Sequence, residues 1–144
     1  MTVRVPSPWR VLAGTDLLLV RAAIPEAGRY YHRERAIVLR DGLLLVEERT
    51  ALWHELVHAR RGDEECRSIA HFARRQEATC DREAARWAIP FPSLLAAARG
   101  ARHVEEVADS LKILPPLLRL RLDGLHPSER AALRRALELE ERAA

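Results

Sequence analysis

Within ALWHELVHARRGD, residues 51–63, His54, Glu55 and His58 stand in the order H-E-x-x-H. On a helix, side chains at i and i+4 share a face about 6 Å apart, so both imidazoles can address one metal ion. Glu55 projects about 100° further around the axis, beside that ion but not on it, where a general base acting on the ion's water belongs. Two surface histidines one turn apart would leave the same letters. The distinction rests on a third donor, because a catalytic zinc takes three protein ligands and keeps one position open. In the extended pattern H-E-x-x-H-x-x-G-x-x-H, a third histidine falls at position 64 and a glycine at 61. Glu64 and Arg61 occupy those positions and exclude that subclass.

The other common donor is a glutamate from the following helix. Ala70, Ala73, Glu77, Cys80, Ala84 and Ala88 recur at steps of three and four, an apolar face with one acid in its middle. A carboxylate turned inward there costs several kcal/mol unless a cation or hydrogen-bond donors receive it. A zinc ion held by His54 and His58 is such a cation; a salt bridge, for instance to Arg74, is the competing account. Asp81, at i+4 from Glu77, shares the face. It either orients a ligand histidine through the other ring nitrogen or replaces Glu77 as the ligand. His71 is a spare ligand candidate, whereas His32, His103 and His126 read as surface or satisfied residues. Tyr30, Tyr31, His71 and several arginines all remain open as donors to a developing oxyanion.

The elements that must position these residues read as strands first and helices afterward, an α+β fold. DLLLVRAAI (16–24) and RAIVLR (35–40) are short, rich in Leu, Val and Ile, and bounded by Gly14, Pro25, Gly28 and Asp41-Gly42. Asp41-Gly42 reads as a loop into the next helix rather than a hairpin turn. That helix is expected over 46–61, with Leu52, Trp53, Leu56 and Val57 as its apolar strip and Gly62 as its stop. The ligand helix is expected over 64–88, up to Ile89-Pro90, and another over 93–99, ended by Gly100. VEEVADSLKI, PLLRLRLDGL and SERAALRRALELEERAA then read as three more helices, the last with Ser128 as N-cap. At 144 residues the chain is long enough for one compact domain with a real core. Its organisation is a core over 1–100 with a C-terminal helical extension, 101–144, packed on it.

Cys66 and Cys80 fall short of a disulfide framework and suit a reducing compartment. No run approaches the ~20 apolar residues of a membrane span, and the N-terminal MTVRVPSPWRVLAG lacks the apolar stretch of a signal peptide. A soluble, cytoplasmic protein with no membrane partner is expected. The net charge is +3, and the arginines are interleaved with acids as on solvated helix faces. Nucleic acid is therefore the minority reading for a partner.

The two motifs together resemble the ImmA/IrrE-type zinc metallopeptidases of bacteria, phages and mobile elements. That family has H-E-x-x-H on one helix and E-x-x-A-(N/D)-x-F-A-x-x-L-L-M-P on the next. EATCDREAARWAIP, residues 77–90, keeps the spacing: Glu77 matches the zinc-ligand glutamate, Asp81 the Asn/Asp position, Ala84 the alanine and Ile89-Pro90 the Met-Pro. Cys80 for alanine, Glu83 for phenylalanine and Trp87-Ala88 for the leucine pair depart from it. The resemblance spans about residues 15–90, and 107–125 is similar to the helix-turn-helix-like segment that follows the core in many members.

The resemblance implies a small zincin-like (minimal gluzincin) fold and one Zn2+ on His54, His58 and Glu77, with Glu55 as general base. It also implies proteolysis of a helix-turn-helix transcriptional repressor. The alternative is a non-catalytic zincin-like binding module that antagonises a repressor or binds DNA, with Arg119 and Arg121 in the second helix of a helix-turn-helix. Against DNA binding, Leu117, Leu118, Leu120, Leu122 and Leu125 make that segment largely core.

Overall fold

A computed structural model describes residues 2–63 and 70–144. Among these, a three-stranded sheet and seven helices form an α+β architecture. A short helix, α1 (Pro8–Ala13), precedes the sheet; Pro8 starts it because its fixed φ suits the first turn and its missing N–H would have had no partner there. Strands β1 (Leu18–Ala22), β2 (Gly28–Tyr31) and β3 (Ala36–Arg40) follow, in the spatial order β1-β3-β2. β3 is parallel to β1, with Val20 opposite Val38, and antiparallel to β2, with Tyr30 opposite Ile37. β2 was not foreseen: Gly28-Arg29-Tyr30-Tyr31 lacks an alternating apolar pattern, and Gly28 reads as a strand boundary rather than a strand residue.

Asp41-Gly42 does lead straight into the next helix, α2 (Leu45–Arg61), with Gly42 at φ 77°. The expected apolar strip is buried: Leu52, Trp53, Leu56 and Val57 are each at most 3% exposed. Gly62 ends α2 in the left-handed conformation at φ 67°, where a glycine pays no Cβ penalty. α3 (Ala70–Ala88) runs to the expected C-terminus; its expected start at 64, and Cys66, lie outside the described residues. Trp53 on α2 meets Trp87 on α3 edge to face, with ring centroids 6.5 Å apart, and Arg60 lies over the Trp87 ring. This aromatic contact fastens the two site helices to each other.

α4 (Phe91–Ala98) starts two residues earlier than expected, because Pro92 is tolerated in a first turn. α5 (Val104–Leu111), α6 (Pro115–Asp123) and α7 (Pro127–Ala143) complete the chain. Ser128 is not the N-cap of α7. His126 is: its Nδ1 accepts from the Ser128 N–H, and Glu129 accepts from the His126 N–H. One buried cluster extends from Tyr30 in the sheet to Leu125 after α6, with α6 packed on α3 and α7 on α4. No helix among the described residues is long and apolar enough to cross a membrane.

Arg121 is 5% exposed, so it is not a surface arginine of a recognition helix. Its Nε donates to the Ile89 carbonyl at 2.8 Å and its Nη2 pairs with Glu129 at 3.1 Å, tying α6 to the end of α3 and the start of α7. Removing the guanidinium strands a buried carbonyl and a carboxylate. Arg121→Met should destabilise the fold by about 2 kcal/mol, read as a lower urea midpoint at unchanged slope.

Candidate metal centre

α2 brings His54 and His58 together with ring centroids 4.7 Å apart and their Nε2 atoms 3.0 Å apart. From α3, Glu77 spans both: Oε2 is 2.8 Å from His54 Nε2 and Oε1 is 3.0 Å from His58 Nε2. Zinc at ~2.05 Å from N and O ligands in tetrahedral geometry holds those ligands about 3.3 Å from one another. The three contacts are all shorter than such an edge, by about half an ångström or less. These residues therefore form a group that could hold a metal ion, and two imidazoles with one carboxylate are a donor set that suits zinc.

Asp81 does not join the ring of Nε2 atoms. Its Oδ1 lies 2.7 Å from His54 Nδ1, so the N–H on that side donates to Asp81, and in the neutral imidazole Nε2 would be the nitrogen left to bind a metal. Asp63, which the sequence reading passed over, stands in the same relation to His58, with Oδ2 3.1 Å from Nδ1. The local cause is the turn at Gly62: the Gly62 N–H bonds the Ala59 carbonyl and the Asp63 N–H bonds the His58 carbonyl. This Schellman arrangement folds the chain back over the last turn of α2. An acid directly after a glycine stop, five residues past the second histidine of H-E-x-x-H, was the available signal.

The inward placement expected of Glu77 does not hold: its side chain is 54% exposed. Among the described residues of its apolar face, α3 is fully buried at Cys80, Ala84 and Ala88 but not at Ala73, so Glu77, one turn before Cys80, lies at the rim of the cleft. Hydrogen bonds from His54 and His58, rather than an apolar surround, account for its position, and they hold its carboxyl well below the ordinary carboxylate range. Burial disfavours charge on His54, but its bonds to Asp81 and Glu77 outweigh that and push its pKa up to about 10. No bond to Arg74 is needed to place Glu77.

Glu55 is 5% exposed and lines the same cleft, of about 470 Å³, with Gly28, Tyr30, His54, His58 and Glu77. Burial raises its pKa to about 6 against the pull of both histidines, and the Tyr30 backbone N–H donates to its carboxylate. Gly28 admits this close approach of β2. A Cβ there would stand 2.9 Å from Glu55 Cγ and 3.2 Å from Oε1. Gly28→Ala should displace the Glu55 side chain and lower any Glu55-dependent turnover by about tenfold or more, while zinc affinity measured by chelator competition stays unchanged.

Of the remaining candidates, the Tyr30 hydroxyl is already engaged by Arg35 Nη1 at 2.9 Å and His32 Nδ1 at 3.1 Å. His126 caps α7 and His103 precedes α5 at the surface. The side chain of His71 lies outside the described residues. Cys80, where the resembled pattern has alanine, is fully buried with Sγ 3.3 Å from His58 Nδ1 and 3.4 Å from Asp63 Oδ2. No protein-family model, curated protein or solved structure matches this chain.

Proposed function

We propose that the chain is a zinc-dependent endopeptidase of the ImmA/IrrE type, using His54, His58 and Glu77 as ligands and Glu55 as general base. The observation that carries this reading is the convergence of both Nε2 atoms on the two oxygens of Glu77, with a buried Glu55 carboxylate in the same cleft. When bound, zinc supplies a water acidified to near neutrality and polarises a carbonyl oxygen. Glu55 accepts a proton from the attacking water and returns it to the departing amine nitrogen. Its pKa, raised to about 6 by burial, suits both transfers near neutral pH. Asp81 holds His54 in the tautomer that leaves Nε2 free.

An extended peptide fits the cleft better than a compact ligand does. β2 is an edge strand and forms one wall. Alternate residues of an antiparallel strand face its partner; the Arg40 N–H pairs with the Ala27 carbonyl, while the Tyr30 N–H goes to Glu55. Gly28 thus directs its N–H and carbonyl, and Tyr30 its carbonyl, away from β3, where a substrate strand can pair with them.

The substrate proposed is a helix-turn-helix transcriptional repressor, on the resemblance of the two helical motifs. Incubating the zinc-loaded protein with the repressor encoded beside it should give two fragments by mass spectrometry, and chelation should abolish them. An intact repressor recovered in a stable complex would instead favour a non-catalytic antagonist. DNA binding is the weaker alternative, since one of its two arginines, Arg121, is spent inside the fold.

A further inference from the structure

Asp63 contacts three groups through one oxygen. Oδ2 lies 3.1 Å from His58 Nδ1, 3.0 Å from Arg61 Nε and 3.4 Å from Cys80 Sγ. Its own main-chain N–H bonds the His58 carbonyl at 3.1 Å, so the same two residues are joined twice, once through the backbone and once through the side chains. Asp63 is 12% exposed on its side chain and His58 10%, which leaves little room for the imidazole to turn.

Two readings of this cluster compete. His58 Nδ1, Asp63 Oδ2 and Cys80 Sγ are close enough to hold a second ion, bridged to the first through the His58 ring. The Arg61 guanidinium already donates to the same oxygen, and a cation placed there would meet that fixed positive charge. The Cys80 thiol donates its S–H to the same oxygen at 3.4 Å. All three neighbours then act as donors to one carboxylate, and each contact is satisfied without a metal.

We infer that Asp63 is a positioning residue for His58: held by Arg61 and the Cys80 thiol, it fixes the imidazole with Nδ1–H inward and Nε2 toward Glu77. This rests on the reading of His54, His58 and Glu77 as a zinc site. The two orienting acids come from different elements, Asp81 from α3 and Asp63 from the turn that ends α2. Such partners raise the basicity of a ligand imidazole and restrict its orientation, and losing one weakens metal binding by about 10–100-fold.

The test is zinc affinity and stoichiometry by chelator competition on the purified full chain, with wild type, Asp63→Ala and Asp63→Asn compared. The wild type should bind one ion. Asp63→Ala should bind one ion about 10–100-fold more weakly, and Asp63→Asn, which keeps an acceptor but loses the charge, should fall between. A merely structural role would lower the unfolding midpoint and leave the affinity of the folded protein unchanged; that result overturns the inference. Should Asp63→Ala fail to fold, as read by far-UV circular dichroism, unchanged affinity in the isosteric Asp63→Asn overturns it equally. Two ions per wild-type chain, with one lost in Cys80→Ala, would overturn it in favour of the bridged site. If the wild type binds no zinc at all, the metal centre itself fails, an outcome distinct from zinc bound with equal affinity in every variant.

Discussion

If the chain is the proposed zinc peptidase, Glu55→Gln should leave zinc bound at wild-type affinity and lower peptide cleavage by about 10²- to 10⁴-fold, the range for removing a general acid–base group. Glutamine matches the shape of glutamate, so it still fits beside Gly28 and can still accept the Tyr30 N–H that Glu55 accepts. What it cannot do is take a proton from water near neutral pH. Glu55 is also not one of the three residues whose donor atoms converge, so the metal affinity has no reason to change. Because the proton transfer belongs to the transition state, the loss should fall on kcat, with KM little altered. Wild-type cleavage by this variant would remove Glu55 from the mechanism and leave the catalytic assignment without a base.

Glu77→Ala is expected to have the largest effect on the metal. It should weaken zinc binding by more than about 100-fold, beyond the loss caused by removing an orienting partner. The reason is geometric: Glu77 is the side chain that reaches both Nε2 atoms, at 2.8 and 3.0 Å. Without it, two imidazoles 3.0 Å apart at Nε2 face each other with no anion between them. The clearest readout is linkage between binding and stability. Zinc at ~1,000 times the wild-type Kd stabilises the wild type by about 4 kcal/mol, whereas the same concentration stabilises a variant weakened about 100-fold by only about 1.4 kcal/mol, so the rise in Tm should fall to about a third or less. An unchanged rise would transfer the ligand role to another carboxylate. Asp81 is poorly placed to inherit it, since it meets His54 at Nδ1, on the far side of the ring.

The helix boundaries that matter most were legible because helix signals are local. His54 and His58 share a face through a spacing of four, Gly62 stops α2 through its left-handed φ, and Glu77 and Asp81 share a face of α3 by the same periodicity. The apolar strip at Leu52, Trp53, Leu56 and Val57 follows from that periodicity too, and all four side chains are buried. Periodicity failed at β2, whose four residues carry a glycine, an arginine and two tyrosines. Pairing with β3 and packing under α2 make it a strand, and neither is written within those residues.

The sequence by itself determined the inventory of this site: two imidazoles at one helical turn, an acid beside the first, and two acids one turn apart on the next helix. Only the tertiary structure decided how the inventory is used. The approach of α3 to α2, fastened by Trp53 and Trp87, puts Glu77 rather than Asp81 on both Nε2 atoms. It also leaves Glu77 half-exposed at the cleft rim, where the sequence pattern placed it inside. The turn at Gly62 delivers Asp63 to His58, and β2 closes on Glu55 through the missing side chain of Gly28. Spacing along one helix fixes which residues share a face, but which atom meets which depends on the distance and angle between elements. Those are set by the summed packing of side chains far apart in the chain.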